Sequence, residues 1–64
     1  MTALTSPEID VLHDLYHGLS RSKISANRNL SASAVKVIIN STYEKLDAYN
    51  IVDVIRAAVE RGLV

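Results

Sequence analysis

Apolar residues return along this chain every three or four positions, in blocks separated by short serine- and asparagine-containing breaks. Ile9, Leu12, Leu15 and Tyr16 mark a first block, and Ile24 anchors a short second one. Val35, Ile38, Ile39, Thr42, Tyr43 and Leu46 share one side of a third, and Val54, Ile55, Ala58 and Val59 form a fourth. This is the period of an amphipathic helix. No stretch of useful length alternates with period two, so no strand is assigned and the predicted fold class is all-α with four helices.

The breaks carry the start and stop signals. Thr5-Ser6-Pro7-Glu8 is a capping box: the Thr5 hydroxyl is placed to accept from the Glu8 N–H, Glu8 to reach back to Thr5, and Pro7 sits in the first turn, where its missing N–H is harmless. Leu4 and Ile9 flank the cap with the spacing of a hydrophobic staple. The first helix is therefore predicted over residues 6–17, stopped by Gly18. Ser20 caps a second over residues 21–27, with Arg28-Asn29 in the turn; Ser31 caps the third. Asn50, with Asp53 three residues on, caps a fourth that closes at Gly62, and residues 47–49 connect it to the third. A short helix, a tight turn and a longer helix with Ser33, Lys36, Val37 and Asn40 on its polar side have the layout of a helix-turn-helix that reads DNA.

Length and charge refine this picture. A chain of 64 residues is one domain, and at that size only about 60% of the unfolded surface is buried, so the core is one small aliphatic cluster. Seven basic and seven acidic residues cancel, but unevenly: no acidic residue occurs between Leu15 and Tyr43, where Arg21, Lys23, Arg28 and Lys36 all fall. A locally basic face on a neutral domain suits a phosphate backbone at modest affinity. There is no cysteine, hence no disulfide framework or thiolate metal site, which fits a reducing cytoplasm. No apolar run is long enough to span a bilayer, and Met1-Thr2-Ala3 lacks the regions of a secretory leader, so a soluble cytoplasmic domain is expected. Ending at Gly62-Leu63-Val64 with almost no tail and starting only a few residues before the first helix signal, the chain reads as a segment of a longer protein.

Leu4-Thr5, Glu8, Val11-Leu12, Gly18-Leu19-Ser20, Lys23-Ile24, Ser31, Val35-Lys36, Lys45-Leu46, Ala58 and Gly62-Leu63 follow one another in an order that resembles the LuxR-type (GerE-like) helix-turn-helix domain over nearly the whole chain. The resemblance implies a four-helix DNA-binding effector domain, usually C-terminal in a regulator, whose third helix enters the major groove and whose fourth often makes a dimer contact. It places the family's recognition-helix lysine on Lys36 and neighbouring groove-facing positions on Val37 and Asn40. The helical wheel agrees independently, since these residues and Ser33 lie opposite Val35, Ile38 and Ile39. Lys36 is suited to guanine O6 and N7 or a phosphate, Asn40 to adenine N6 and N7, and Val37 to a thymine methyl. Arg21, Ser22 and Lys23 are the expected backbone contacts. On the fourth helix, Val52, Ile55 and Val59 are the expected self-association surface, forming a weak homodimer strengthened on DNA or by a missing domain.

Some positions depart from the family pattern. Arg28 stands where the family usually has a buried leucine, so it either snorkels out of the core or marks a shifted turn. Ala34 replaces a threonine able to bond a phosphate, Ile38 a frequent histidine, and Asn40 a frequent basic residue. Fewer phosphate contacts and weak binding by the isolated monomer follow.

Catalysis finds no support. Ser20, Ser31 and Thr5 are better used as caps than as nucleophiles, there is no glycine-rich phosphate loop, and no cofactor is implied. His13 and His17 have metal-ligand spacing with Asp10 and Asp14 nearby, but without a third histidine or a cysteine they are read as a solvated face, and no metal site is assigned. Tyr43 is read as a core aromatic between the third and first helices, and Tyr16 and Tyr49 as packing residues. Two classes remain: a DNA-binding domain of a transcription regulator, or a helical protein-interaction module that keeps the fold and has lost DNA binding. The basic window and Lys36 favour the first.

Overall fold

Each helix begins where a side-chain oxygen captures a backbone N–H that has no partner inside the helix. In the computed structural model, which describes residues 3–64, the helices are α1 (Ser6–Tyr16), α2 (Arg21–Arg28), α3 (Ala32–Lys45) and α4 (Ile51–Glu60), with no strand among the described residues. The reading of Met1 and Thr2 as belonging to no secretory leader lies outside these residues. Glu8 and Thr5 close the capping box in both directions, the Thr5 N–H donating to Glu8 Oε1 at 2.8 Å and the Glu8 N–H to Thr5 Oγ1 at 3.4 Å. Ser20 accepts from Lys23 at 3.2 Å, Ser31 from Ala34 at 3.1 Å, and Asn50 from Asp53 at 2.9 Å, each through its side-chain oxygen and the residue's backbone N–H. Boundaries differ from expectation by one residue: α1 ends at Tyr16, and α2 extends to Arg28 because Asn29 takes the left-handed cap with φ 55°. Asp47 adopts the same region after α3 with φ 53°, a conformation that Asn and Asp tolerate better than other side chains.

The core is two clusters rather than one, and α1 supplies both. Val11 packs with Ile24, Val35 and Ile39, while its neighbour Leu12 packs with Leu46, Val54 and Ala58. Tyr43, half-buried on α3, touches both clusters, as a core aromatic should. The apolar face of α1 is rotated from the one expected: Val11 is fully buried, whereas Ile9 and Leu15 are half-buried and Tyr16 is exposed. Tyr49 is likewise no packing residue, being 85% exposed. After the left-handed turn at Asp47 it is Ala48 that packs on the second cluster, leaving Tyr49 outside.

Two polar ties cross this core. Glu8 is buried beneath α3, where it accepts from Lys45 Nζ at 2.8 Å and from the Ser41 hydroxyl. Burial pushes its carboxyl up, but the bonds from Lys45, Ser41 and Thr5 outweigh that and hold it at about 2. Asp14, also buried, accepts from Arg28 Nε at 2.8 Å and from its Nη2 at 2.9 Å. That bidentate bond holds the Asp14 carboxyl below its ordinary range. Of the three acidic residues of α1, Glu8, Asp10 and Asp14, only Asp10 is exposed.

Candidate nucleic-acid interface

α3 divides its two sides by helical spacing. Val35 and Ile39 point into the first cluster, Ile38 lies half-buried beside them, and Thr42 is fully buried one turn on. Ser33, Lys36, Val37 and Asn40 recur at the complementary spacing and are all exposed. Val37 is 66% exposed, an apolar side chain held among polar ones. Arg21, Ser22 and Lys23 occupy the first turn of α2 and are exposed as well.

The helix-turn-helix angle brings part of this set together. Arg21 and Ser22 from α2 and Lys36 from α3 line a groove of about 300 Å³ floored by Ala32 and Val35. Lys23, Ser33, Val37 and Asn40 do not line it. The groove also contains Ser25, which sequence reasoning missed although it lies one turn after Arg21 on the same side of α2. Ser25 fixes the turn between the helices: its hydroxyl donates to the Leu30 carbonyl, and its own carbonyl accepts from the Leu30 N–H at 3.0 Å.

Arg28 leaves the basic set. The turn is not shifted; the side chain reaches across to α1 and pairs with Asp14, and its Nη1 lies 3.8 Å from Asp10. Its guanidinium is held more firmly protonated by these carboxylates, chiefly Asp14, and its charge is compensated within the domain. Arg21, Lys23 and Lys36 remain from the four basic residues of the acid-free window. Ala34 is half-buried and brings no hydroxyl to the face.

On α4, Val54 and Ala58 turn inward, Ile55 is half-buried against the second cluster, and Val52 and Val59 are 62% and 49% exposed. Ile51, which the sequence reading did not single out, is exposed beside Val52.

A family model described as bacterial regulatory proteins, luxR family, matches residues 2–58. The chain belongs to the LuxR family. Its functional class is accordingly the DNA-binding domain of a transcription regulator, the first of the two classes left open by the sequence. Over 46 residues, 72% of the chain, this LuxR-family domain is 44% identical to the nitrate/nitrite response regulator protein NarP of Escherichia coli (strain K12), covering 21% of that protein. Its whole length superposes, with a TM-score of 0.94 and 33% identity, on 32% of the crystal structure of the response regulator ChrA of a heme-sensing two-component system. The chain thus spans a third or less of either relative. Among the described residues, no helix is long and apolar enough to cross a membrane.

Proposed function

We propose that this LuxR-family domain reads double-stranded DNA by laying α3 in the major groove, with Lys36, Val37 and Asn40 at base edges and Ser33 beside the backbone. The observation that carries the reading is the exposed Val37 between Lys36 and Asn40, on the side of α3 opposite Val35 and Ile39. A methyl-bearing side chain flanked by a donor and an amide is the chemistry a thymine-containing site presents a partner for. Arg21, Ser22 and Lys23 supply phosphate contacts that set the register. The domain acts by binding, without a catalytic step or cofactor, as the effector part of a longer regulator in the cytoplasm; the small share of NarP and ChrA that it matches supports this. Val52, Ile55 and Val59 on α4 form a weak homodimer contact, strengthened on DNA.

Mobility shifts on genomic fragments, with excess random DNA at low and moderate salt, test the reading. Lys36→Ala and Asn40→Ala should each cost about 1–3 kcal/mol on the preferred site with the fold intact. Arg21→Ala and Lys23→Ala should weaken binding to all sequences and flatten its salt dependence. Equal losses on specific and random DNA for all four changes would remove the division of roles.

A further inference from the structure

His13, in the last turn of α1, and His17, the residue that caps its C-terminus, are both exposed, their Nε2 atoms 3.3 Å from each other and their ring centroids 4.4 Å apart. Two nitrogens bound at about 2.0–2.1 Å to one tetrahedral ion stand about 3.3–3.4 Å apart, so the pair already has the bite of a chelate. As a hydrogen bond, the same separation lies just beyond the usual range of about 2.7–3.2 Å for N–H donors. The spacing is that of paired histidine ligands on a single helix.

Both rings stand on the open surface. Both Asp14 oxygens are engaged by Arg28, so this residue is not a ligand of the pair. The Tyr16 ring meets the His17 ring edge-on, with centroids 5.3 Å apart, on the same exposed surface. Neither histidine lines the groove between α2 and α3.

We propose that His13 and His17 form a bidentate site for a divalent first-row transition ion of the copper or zinc class, with water in the remaining positions. Each ring binds through its Nε2 lone pair as the Nδ1–H tautomer. Imidazole nitrogens select copper over zinc in affinity and do not suit magnesium, which takes oxygen ligands. Because the bite depends on the last turn of α1 and on the His17 N–H that donates to the His13 carbonyl at 3.1 Å, a bound ion stabilises the C-terminal end of α1, the helix that feeds both core clusters.

The test uses the untagged chain, titrated calorimetrically with copper(II), zinc(II) and magnesium and melted at rising concentrations of each ion. One ion per chain is expected, copper tighter than zinc, with a melting temperature that rises with either and not with magnesium. Replacing His13→Gln or His17→Gln should weaken binding about 10-fold or more, since loss of a ligand costs no less than loss of an outer-shell partner. Circular dichroism without metal checks that these exposed substitutions keep the fold. In the parent, zinc should shift the ring resonances of both histidines in NMR spectra. The proposal is overturned if copper neither binds nor raises the melting temperature, if folded variants bind as well as the parent, or if zinc moves neither ring.

Discussion

Arg28 offers Nε and Nη2 to one carboxylate and has a second within 3.8 Å, so its charge is largely matched before any phosphate approaches. Counterion release on DNA counts only cations that newly neutralise phosphates. Arg28→Ala should therefore leave the slope of log affinity against log salt unchanged, whereas Arg21→Ala should reduce it by about 1. Thermal melting should show a different loss in Arg28→Ala, since Asp14 is then buried without its partner. A slope that falls equally in both variants would return Arg28 to the phosphate contacts. Glu8 makes the corresponding case for pH. Its folded-state value is about 2 against an ordinary 4.5, so its contribution is complete above about 4.5 and is lost as pH falls toward 2. Asp14, lowered from 3.8, adds to the same acid window. The melting temperature should fall steeply between pH 4.5 and 2, the interval between the ordinary and folded values of Glu8. Glu8→Gln should cost about 1–3 kcal/mol at neutral pH and make that fall shallower. An unchanged acid profile would mean that Glu8 is not the group that titrates.

At the scale of elements, α3 packs one side on the core and leaves the other exposed, and Thr42 is where the packing side carries a polar group. It is fully buried, and its hydroxyl donates to the Ile39 carbonyl at 2.6 Å. That carbonyl already lies within the helical bonding pattern, so removing the hydroxyl strands no partner, and an apolar group of the same shape is favoured. Thr42→Val should stabilise the fold by about 1 kcal/mol, raising the melting temperature by roughly 4–8 °C, with DNA affinity unchanged. A lower melting temperature would show that the hydroxyl bond outweighs the burial. The four helix starts were legible because Thr5, Ser20, Ser31 and Asn50 each act on a backbone N–H three residues away, a local event written in local sequence. The two sides of α3 were legible for the same reason, through the spacing of Val35 and Ile39 against Lys36 and Asn40. The partner of Arg28 is 14 residues distant and that of Lys45 is 37, so both pairings depend on how helices pack and not on any local pattern. The phase of α1 was misread for a related reason. Its apolar residues must serve two clusters on different sides, which draws Val11 inward and leaves Tyr16 outside.

For the whole molecule, size and connectivity decide how two copies share a site. The domain measures 28 × 20 × 20 Å. Two recognition helices set one DNA turn apart, about 34–36 Å, place each α3 roughly 17 Å from the two-fold axis, nearly the full width of one domain. In the proposed dimer the contact then comes from the part of the molecule remote from the proposed reading face. α4 meets this requirement: its buried residues Val54 and Ala58 pack on Leu12 of α1 and on Leu46 just beyond the end of α3, well away from the exposed Lys36 and Val37. Ile51, Val52 and Val59 remain outside. So few side chains make a contact far smaller than the roughly 1,200–2,000 Å² of a stable complex, and the free domain should be mainly monomeric when dilute. DNA bearing two half-sites supplies what is missing by holding both copies at high effective concentration. Val52→Glu and Val59→Glu should accordingly keep the parent's affinity for a single half-site and lose cooperativity on the full palindrome, because a carboxylate on the two-fold surface faces its own copy. Titration of both DNAs in a mobility shift, with melting curves to confirm folding, measures the two quantities separately. Cooperativity that survives in both folded variants would move the dimer surface off α4.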